Sequence, residues 1–340
     1  MTRVFYSDAG ATAVEAALRA DLVLFQPEGT ISDSNDVCEI LNLLSLPLLA
    51  RTRRIPVFVL NGTFPLYADS RFTLIKTFLD LCHYTALRDR LSAEHYEVKF
   101  MPDTAVLWPD TAPATNSDGA SRPYVLITTG AQCPTAMNIA LATEALAFCE
   151  KVHLKPLIMS KQRRRLASLR REFDRLGGHV VETASLQQAS QWLSECRIHI
   201  GGRYHMALFC LAHRIPSVLV PVNTHKNRWL SEEFPGISLV ESVGKVGEAA
   251  AALYEHVDEL VPRMTAGLNR AKSLAHQEMA YAASLARDML SHGPKPPGVP
   301  PDALAELQRQ IRLVDVVKQV VSPPDIRWRR LFRRHRERPA

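Results

Sequence analysis

Along the chain, short apolar runs alternate with segments whose apolar positions recur every three or four residues, the pattern of strands alternating with amphipathic helices. "DLVLFQ" (21–26) reads as a strand that opens into the turn "PEGTISDSN". Across about 36–53, Val37, Ile40, Leu41, Leu44 and Leu48 share a face, which predicts a helix with Pro47 as its kink point. "IPVFVLNGT" (55–63) is the next strand, ending at Asn61–Gly62, and a helix follows at about 69–82. "YTALRDRLSAEHY" (84–96) predicts a short strand, a turn and a helix starting near Ser92. "VKFMPDTAV" (98–106) predicts a strand ending at Pro102–Asp103.

The period then stops. "WPDTAPATNSDGASRP" (108–123) is rich in Pro, Thr, Ser and Asp and reads as a linker. Alternation restarts with "YVLITTG" (124–130), a helix over 134–151, the strand "LKPLIMS" (154–160) and a basic helix over 161–176. "HVVETA" (179–184) and "IHIGGR" (198–203) are strands separated by the helix "SLQQASQWLSEC" (185–196). A helix at 204–213, a strand at 216–222 and helices at 227–233, 245–257 and 260–292 follow. "HGPKPPGVPPD" (292–302) is a Pro-rich break before a last helix at 302–320.

Two alternating blocks predict an α/β fold of two Rossmann-like, GT-B-like parallel-sheet domains facing a cleft, with a helical C-terminal extension. The expected units are 1–108, a linker at 109–123, a second domain at 124–290, and a break, helix and basic tail at 291–340. In such sheets ligands bind beyond the carboxyl ends of the strands.

Composition changes this picture little. The hydrophobic fraction of 46% and charged fraction of 22% are those of a globular protein. No apolar run is long enough to cross a bilayer, and the start has no basic segment followed by an apolar one and a cleavage site. The six cysteines are scattered without a CxxC pair, which points to reduced thiols, with Cys210 a small core residue. The net charge of +6 is uneven: residues 325–340, "DIRWRRLFRRHRERPA", hold seven Arg against Asp325 and Glu337. The rest is almost neutral, so no nucleic-acid partner is expected. The tail reads as a solvated end, or as a peripheral contact with anionic membrane through 327–338, where Trp328, Leu331 and Phe332 lie between arginines. The six Lys and Arg of "KQRRRLASLRRE" (161–172) read as a solvated helix face.

Four ordered segments carry a resemblance. "ADLVLFQPEGTI", "LRDRLSAEHY", "PDTAV" and "GGRYHMALFCLAHRIPSVLVPVNTHK" together resemble the polysaccharide pyruvyl transferase family over about residues 20–230. The last segment is the most specific, similar to the family's Gly-Arg-Tyr/Leu-His helix start and Asn-Thr-x-Lys strand end. One departure stands out: the Gly-Asn-x-Gly-Asp turn that opens the family is absent, through a shortened start or a loss of that loop. The resemblance implies transfer of a pyruvyl group from phosphoenolpyruvate to a sugar of a surface polysaccharide or its lipid-linked precursor, as a ketal. It further implies a cytoplasmic enzyme, at or near the inner face of the membrane, with phosphoenolpyruvate and a glycan as partners. Two alternatives stay open: a GT-B-type nucleotide-sugar glycosyltransferase, and a non-catalytic binding relative.

Such a donor carries a carboxylate and a phosphate, so its site needs fixed cations, a group that moves protons, and donors for the leaving phosphate. No metal or other cofactor is required. Arg203 fits a bidentate anion clamp, with Gly202 allowing close approach and Tyr204 opening a helix whose amides face the same place. His205 is the expected acid or base. Lys226 is a second cation, and Asn223 and Thr224 would orient a substrate, while His225 reads as solvent-facing. In the first half, Glu28, Gly29 and Thr30 form a turn toward the acceptor, with Glu28 a candidate base. Asn61 ends its strand at the cleft. Arg88, with Ser92, would add an anion contact, or Arg88 would pair with Asp89 or Asp103. Thr128, Thr129 and Gly130 open the second domain's first turn, where a phosphate would sit.

Overall fold

The computed structural model describes residues 16–108, 122–130, 133–159, 166–181, 185–222 and 224–292. Several expectations lie outside these residues: the opening segment, most of the linker, the first residues of the basic helix, Asn223, the Pro-rich break, the helix at 302–320 and the tail at 327–338.

The first sheet is parallel throughout, in the order β1 (Val23–Phe25), β2 (Val57–Gly62), β3 (Tyr84–Leu87), β4 (Lys99–Phe100). Helices α1 (Val37–Thr52), α2 (Ser70–Leu81) and α3 (Arg90–His95) cross over between its strands, and each starts on an aspartate. Asp36 forms a capping box with Glu39, Asp69 accepts from the Arg71 amide, and Asp89 accepts from the Ser92 amide. The predicted strand at 98–106 is shorter than expected. It stops at Phe100 because Pro102 lacks an N–H and the Asp103 side chain caps a 3₁₀ turn at Thr104–Leu107, accepting from the Ala105 amide at 2.8 Å.

The second sheet holds β5 (Tyr124–Ile127), β6 (Lys155–Met159), β7 (His179–Val181), β8 (Cys196–Gly201), β9 (Ser217–Leu219) and β10 (Ile237–Leu239), again all parallel. Their spatial order is β7-β6-β5-β8-β9-β10, the 3-2-1-4-5-6 order of a dinucleotide-type fold. Helices α4 (Thr135–Val152), α5 (Arg170–Arg175), α6 (Leu186–Ser194), α7 (Tyr204–Ala212), α8 (Lys226–Glu233) and α9 (Val246–Glu255) complete it. Among the described residues of the predicted basic helix, Arg170–Arg175 is the α-helical part, and β10 is a strand that the periodicity did not predict, three residues being too few to show a period. Deep in this sheet, His199 is wholly buried. Its Nε2 lies 2.8 Å from Thr128 Oγ1 and its Nδ1 3.1 Å from Ser217 Oγ, tying β5, β8 and the start of β9 together. Burial lowers its pKa to about 3, so the ring is neutral.

The last helix of the described residues, α10 (Val257–His292), joins the halves. Its first part buries Met264, Leu268, Ala271 and Ala275 against α7, α8 and the 3₁₀ turn. Its last part packs Met279, Ala282, Leu285 and Met289 on Phe58 and Tyr84 of the first sheet and on Met101 just after β4. Among the described residues no helix is long and apolar enough to cross a membrane. All six cysteines are free, and Cys210 is buried in the core.

Candidate functional site

The strand order of the second sheet reverses between β5 and β8, which is where an α/β sheet opens a crevice at its carboxyl edge. Thr128–Gly130 follow β5, and Gly202–His205 follow β8 into α7. The two turns touch: a Cβ on Gly202 would lie 2.6 Å from the Gly130 Cα, so only glycine fits there. The Gly130 amide donates to Asn138 Oδ1 at 2.7 Å, and Asn227 Nδ2 donates to Val220 O at 2.9 Å and reaches Gly202 O at 3.5 Å, so each turn is held by an asparagine side chain. Thr129 is buried.

The first sheet presents its own strand ends to the same place. After β1, Glu28 takes a left-handed backbone (φ 51) and its carbonyl accepts from the Thr63 amide at 2.7 Å. Thr63 Oγ1 accepts in turn from Arg88 Nε at 2.9 Å. Arg88, at the end of β3, is only 1% exposed. Its Nη1 donates to Asp103 Oδ2 at 2.9 Å, and its guanidinium lies 4.5 Å from the centre of the Tyr204 ring. Asn61 also has a left-handed backbone and is buried, its Oδ1 accepting from the Thr104 amide at 2.9 Å. It therefore holds the Asp103 loop rather than lining an opening.

Residues of the two halves meet around Gly29. A Cβ at that position would lie 3.0 Å from Lys226 Nζ and 3.5 Å from Arg88 Nη2, so the missing side chain leaves room between two cations. Lys226 is 8% exposed. Burial first, then the charges of Arg88 and Arg203, lower its pKa to about 8, with Glu28 opposing them. Arg203 therefore belongs to the same field; its charge also acts on the Cys133 thiol, whose pKa burial raises. His205 Nε2 lies 3.3 Å from Arg88 Nη1 and 3.5 Å from Asp103 Oδ2, and its side chain is 40% exposed. Burial opposes ionisation of Asp103, but the contact with His205 and the charges of Arg88 and His205 outweigh it, so its pKa is below the ordinary carboxyl value.

The structure thus brings Gly29, Arg88, Arg203, Tyr204, His205 and Lys226 together, with Glu28 within electrostatic reach of Lys226. Thr30 is exposed on the same turn, and Thr224 is buried, its Oγ1 accepting weakly from the Lys226 amide at 3.5 Å. Tyr204 contributes a ring; its hydroxyl is buried, and burial together with the nearby Asp103 carboxylate holds it well above the ordinary phenol range.

Two further expectations are corrected. His225 is not solvent-facing: its Nε2 lies 2.7 Å from Asp89 Oδ1 and 3.1 Å from Ser92 Oγ, across the two halves. Ser92 is wholly buried, and its hydroxyl lies 2.8 Å from Phe64 O and 2.9 Å from Asp89 Oδ2, so it offers no anion contact. Asp103 is the residue whose part the sequence understates. Its signal was present in "PDTAV", where a carboxylate follows a proline that ends the strand.

The sequence profile described as polysaccharide pyruvyl transferase matches residues 4–224. No curated protein matches the sequence. Among solved structures, S. aureus MnaA with UDP is similar at 12% identity, over 81% of each chain, with a TM-score of 0.55. The UDP-GlcNAc 2-epimerase from Neisseria meningitidis bound to UDP-GlcNAc is similar at 12% identity, over 82% of this chain and 80% of that one, with a TM-score of 0.53. Anabaena Alr3699/HepE in complex with UDP and glucose gives 11% identity, 81% and 80% coverage, and a TM-score of 0.51. At these identities the likeness establishes a GT-B-like fold.

Proposed function

Because the chain belongs to the polysaccharide pyruvyl transferase family, we propose that it transfers the pyruvyl group of phosphoenolpyruvate to a sugar of a polysaccharide or its precursor, forming a ketal. The observation that carries this reading is the meeting of Arg88 and Lys226 over Gly29, one cation from each half, beside the half-exposed imidazole of His205. A small dianionic or trianionic donor suits such a gap. Its carboxylate matches the planar guanidinium of Arg203, and its phosphate suits Lys226 and the amides of the Gly202–Tyr204 turn. His205 moves the proton between a sugar hydroxyl and the donor. The cations stabilise the charge that gathers on phosphate as the carbon–oxygen bond breaks.

The test is phosphate release by the full chain from phosphoenolpyruvate with a panel of oligosaccharides presenting vicinal or 4,6-diols. Release that depends on the acceptor and falls at least about a hundredfold in His205→Ala supports the reading. Calorimetric binding of UDP with no binding of phosphoenolpyruvate would move the protein to the glycosyltransferase reading. A phosphoenolpyruvate-dependent thermal shift without turnover would mark a binding relative.

A further inference from the structure

We propose that Asp103 is a positioning residue that holds the proton on Nε2 of His205, so that Nδ1 is the nitrogen presented to the acceptor hydroxyl as general base. The proposal rests on the pyruvyl-transfer reading and adds to it the tautomer, the reacting nitrogen and a partner from the opposite half.

Asp103 and His205 come from different sheets, and two packed pieces bring them together. The 3₁₀ turn that Asp103 caps buries Val106 against Tyr204, Ala207, Leu208 and Leu211 of α7. His205 lies in the first turn of that same helix. The imidazole edge bearing Nε2 is turned to the buried Arg88–Asp103 pair. Nδ1 has no hydrogen-bond partner among the described residues, and the side chain is open to solvent by two-fifths.

Two contacts compete for Nε2, one within hydrogen-bond reach of Arg88 and one at ion-pair distance from Asp103. Arg88 Nη1 at 3.3 Å would donate to a bare nitrogen and leave the proton on Nδ1; Asp103 Oδ2 at 3.5 Å would accept from a protonated one. The carboxylate decides. A bare Nε2 sets its lone pair against a buried, ionised oxygen, whereas a protonated Nε2 presents a positive edge to it. Arg88 loses little, because Nη1 already donates to Asp103 and Nε to Thr63. With Nε2 protonated, Nδ1 carries the free lone pair.

The proton balance of the transfer suits this arrangement. The donor's methylene carbon gains one proton, the bond from its neighbouring carbon to the phosphate oxygen breaks with the electron pair leaving on phosphate, and two sugar hydroxyls each lose a proton as they bond to that carbon. One of those protons balances the new methyl group and the other leaves with phosphate. Nδ1 takes the proton of an attacking hydroxyl, and Asp103 faces the imidazolium that results.

Nitrogen-15 NMR of histidine-labelled full chain, with His205→Gln to assign the signal, reads the tautomer directly. The expected result is a protonated Nε2 and a bare Nδ1; the reverse overturns the proposal. Asp103→Asn keeps an oxygen for the Ala105 amide and turns an NH₂ donor toward Nε2. It is expected to reverse the tautomer and lower kcat by about a hundredfold without raising KM for phosphoenolpyruvate. Asp103→Glu is expected to restore part of kcat. An unchanged kcat in folded Asp103→Asn, or a loss expressed only in KM, also overturns it. Wild-type protein that releases no phosphate with any acceptor instead removes the parent reading, and the tautomer remains measurable.

Discussion

Lys226 joins a stability effect to the proposed donor contact. Its folded pKa of about 8 lies below the ordinary 10.5, chiefly through burial, so the folded state holds its proton less firmly than the unfolded chain does. Between about pH 8 and 10.5 the unfolded chain therefore binds more protons, and this group's contribution to stability improves as pH rises through that window. Below pH 8 the desolvated charge weighs on the fold in full. An anionic donor needs that same charge. Affinity for phosphoenolpyruvate should fall above pH 8 by up to about tenfold per unit, one proton being linked to binding. Lys226→Met should raise the midpoint of thermal unfolding by a few degrees and weaken the donor at least about tenfold; calorimetry at several pH values and a melting series check both. A wild-type affinity flat from pH 7 to 10 would remove the Lys226–donor contact. Arg203, His205 and Lys226 were legible because a strand–helix pattern puts residues after each strand at one edge. Their partners were not: Asp103 was read at a strand end, and nothing in a local period tells that it faces a helix about a hundred residues on. His225 fell in a polar stretch and read as wet, although it meets Asp89 across the halves.

The meeting of α3 and α8 shows how two helix starts can form a joint. Asp89 caps α3 through Oδ1, which accepts from the Ser92 amide at 2.7 Å, and the same oxygen lies 2.7 Å from His225 Nε2 just ahead of α8. One carboxylate thus serves a local cap and a contact between halves, with Ser92 Oγ 2.9 Å from its second oxygen. Asp89→Ala removes all three: the Ser92 amide and His225 Nε2 lose the carboxylate, while the Ser92 hydroxyl keeps Phe64 O. The expected loss is about 2–4 kcal/mol, read as a shift of the denaturant midpoint. Asp89→Asn, which can still accept from the Ser92 amide, should cost less. In a double-mutant cycle, Asp89→Asn with His225→Ala should show coupling of roughly 1 kcal/mol or more; strict additivity would mean the two side chains only touch. Most elements were legible from their periods because their burial is regular. The exceptions are those shaped by one residue or by length: β4 cut short at Pro102, the 3₁₀ turn made by Asp103, and β10, too brief to show a period.

At the scale of the molecule the site exists only while the halves are held together, and α10 is the longest tie. It begins against α7 and α8 and ends across the first sheet, where Ala282 is 4% exposed among Phe58, Tyr84 and Met101, and Tyr84 donates to Glu278 at 2.7 Å. Among the described residues the first sheet has four strands, with α1 to α3 over one face, so the far part of α10 covers the other. Without that cover Phe58 and Met101 would face water, and burial of such side chains contributes about 1.5–3 kcal/mol each. A charge at the contact should therefore unfasten the first half while sparing the second, whose core is built separately around α4 and β5. Ala282→Asp is expected to split a single calorimetric transition into two. The lower one should coincide with early hydrogen exchange in 57–62 and 84–87, and phosphoenolpyruvate binding should vanish with it, because Arg88 and Gly29 leave while Lys226 and Arg203 remain. A single transition, lowered but undivided, would show instead that the seam at Arg88, Asp103 and Asp89 couples the halves more tightly than the helix does. Donor binding would then survive up to that one melting point.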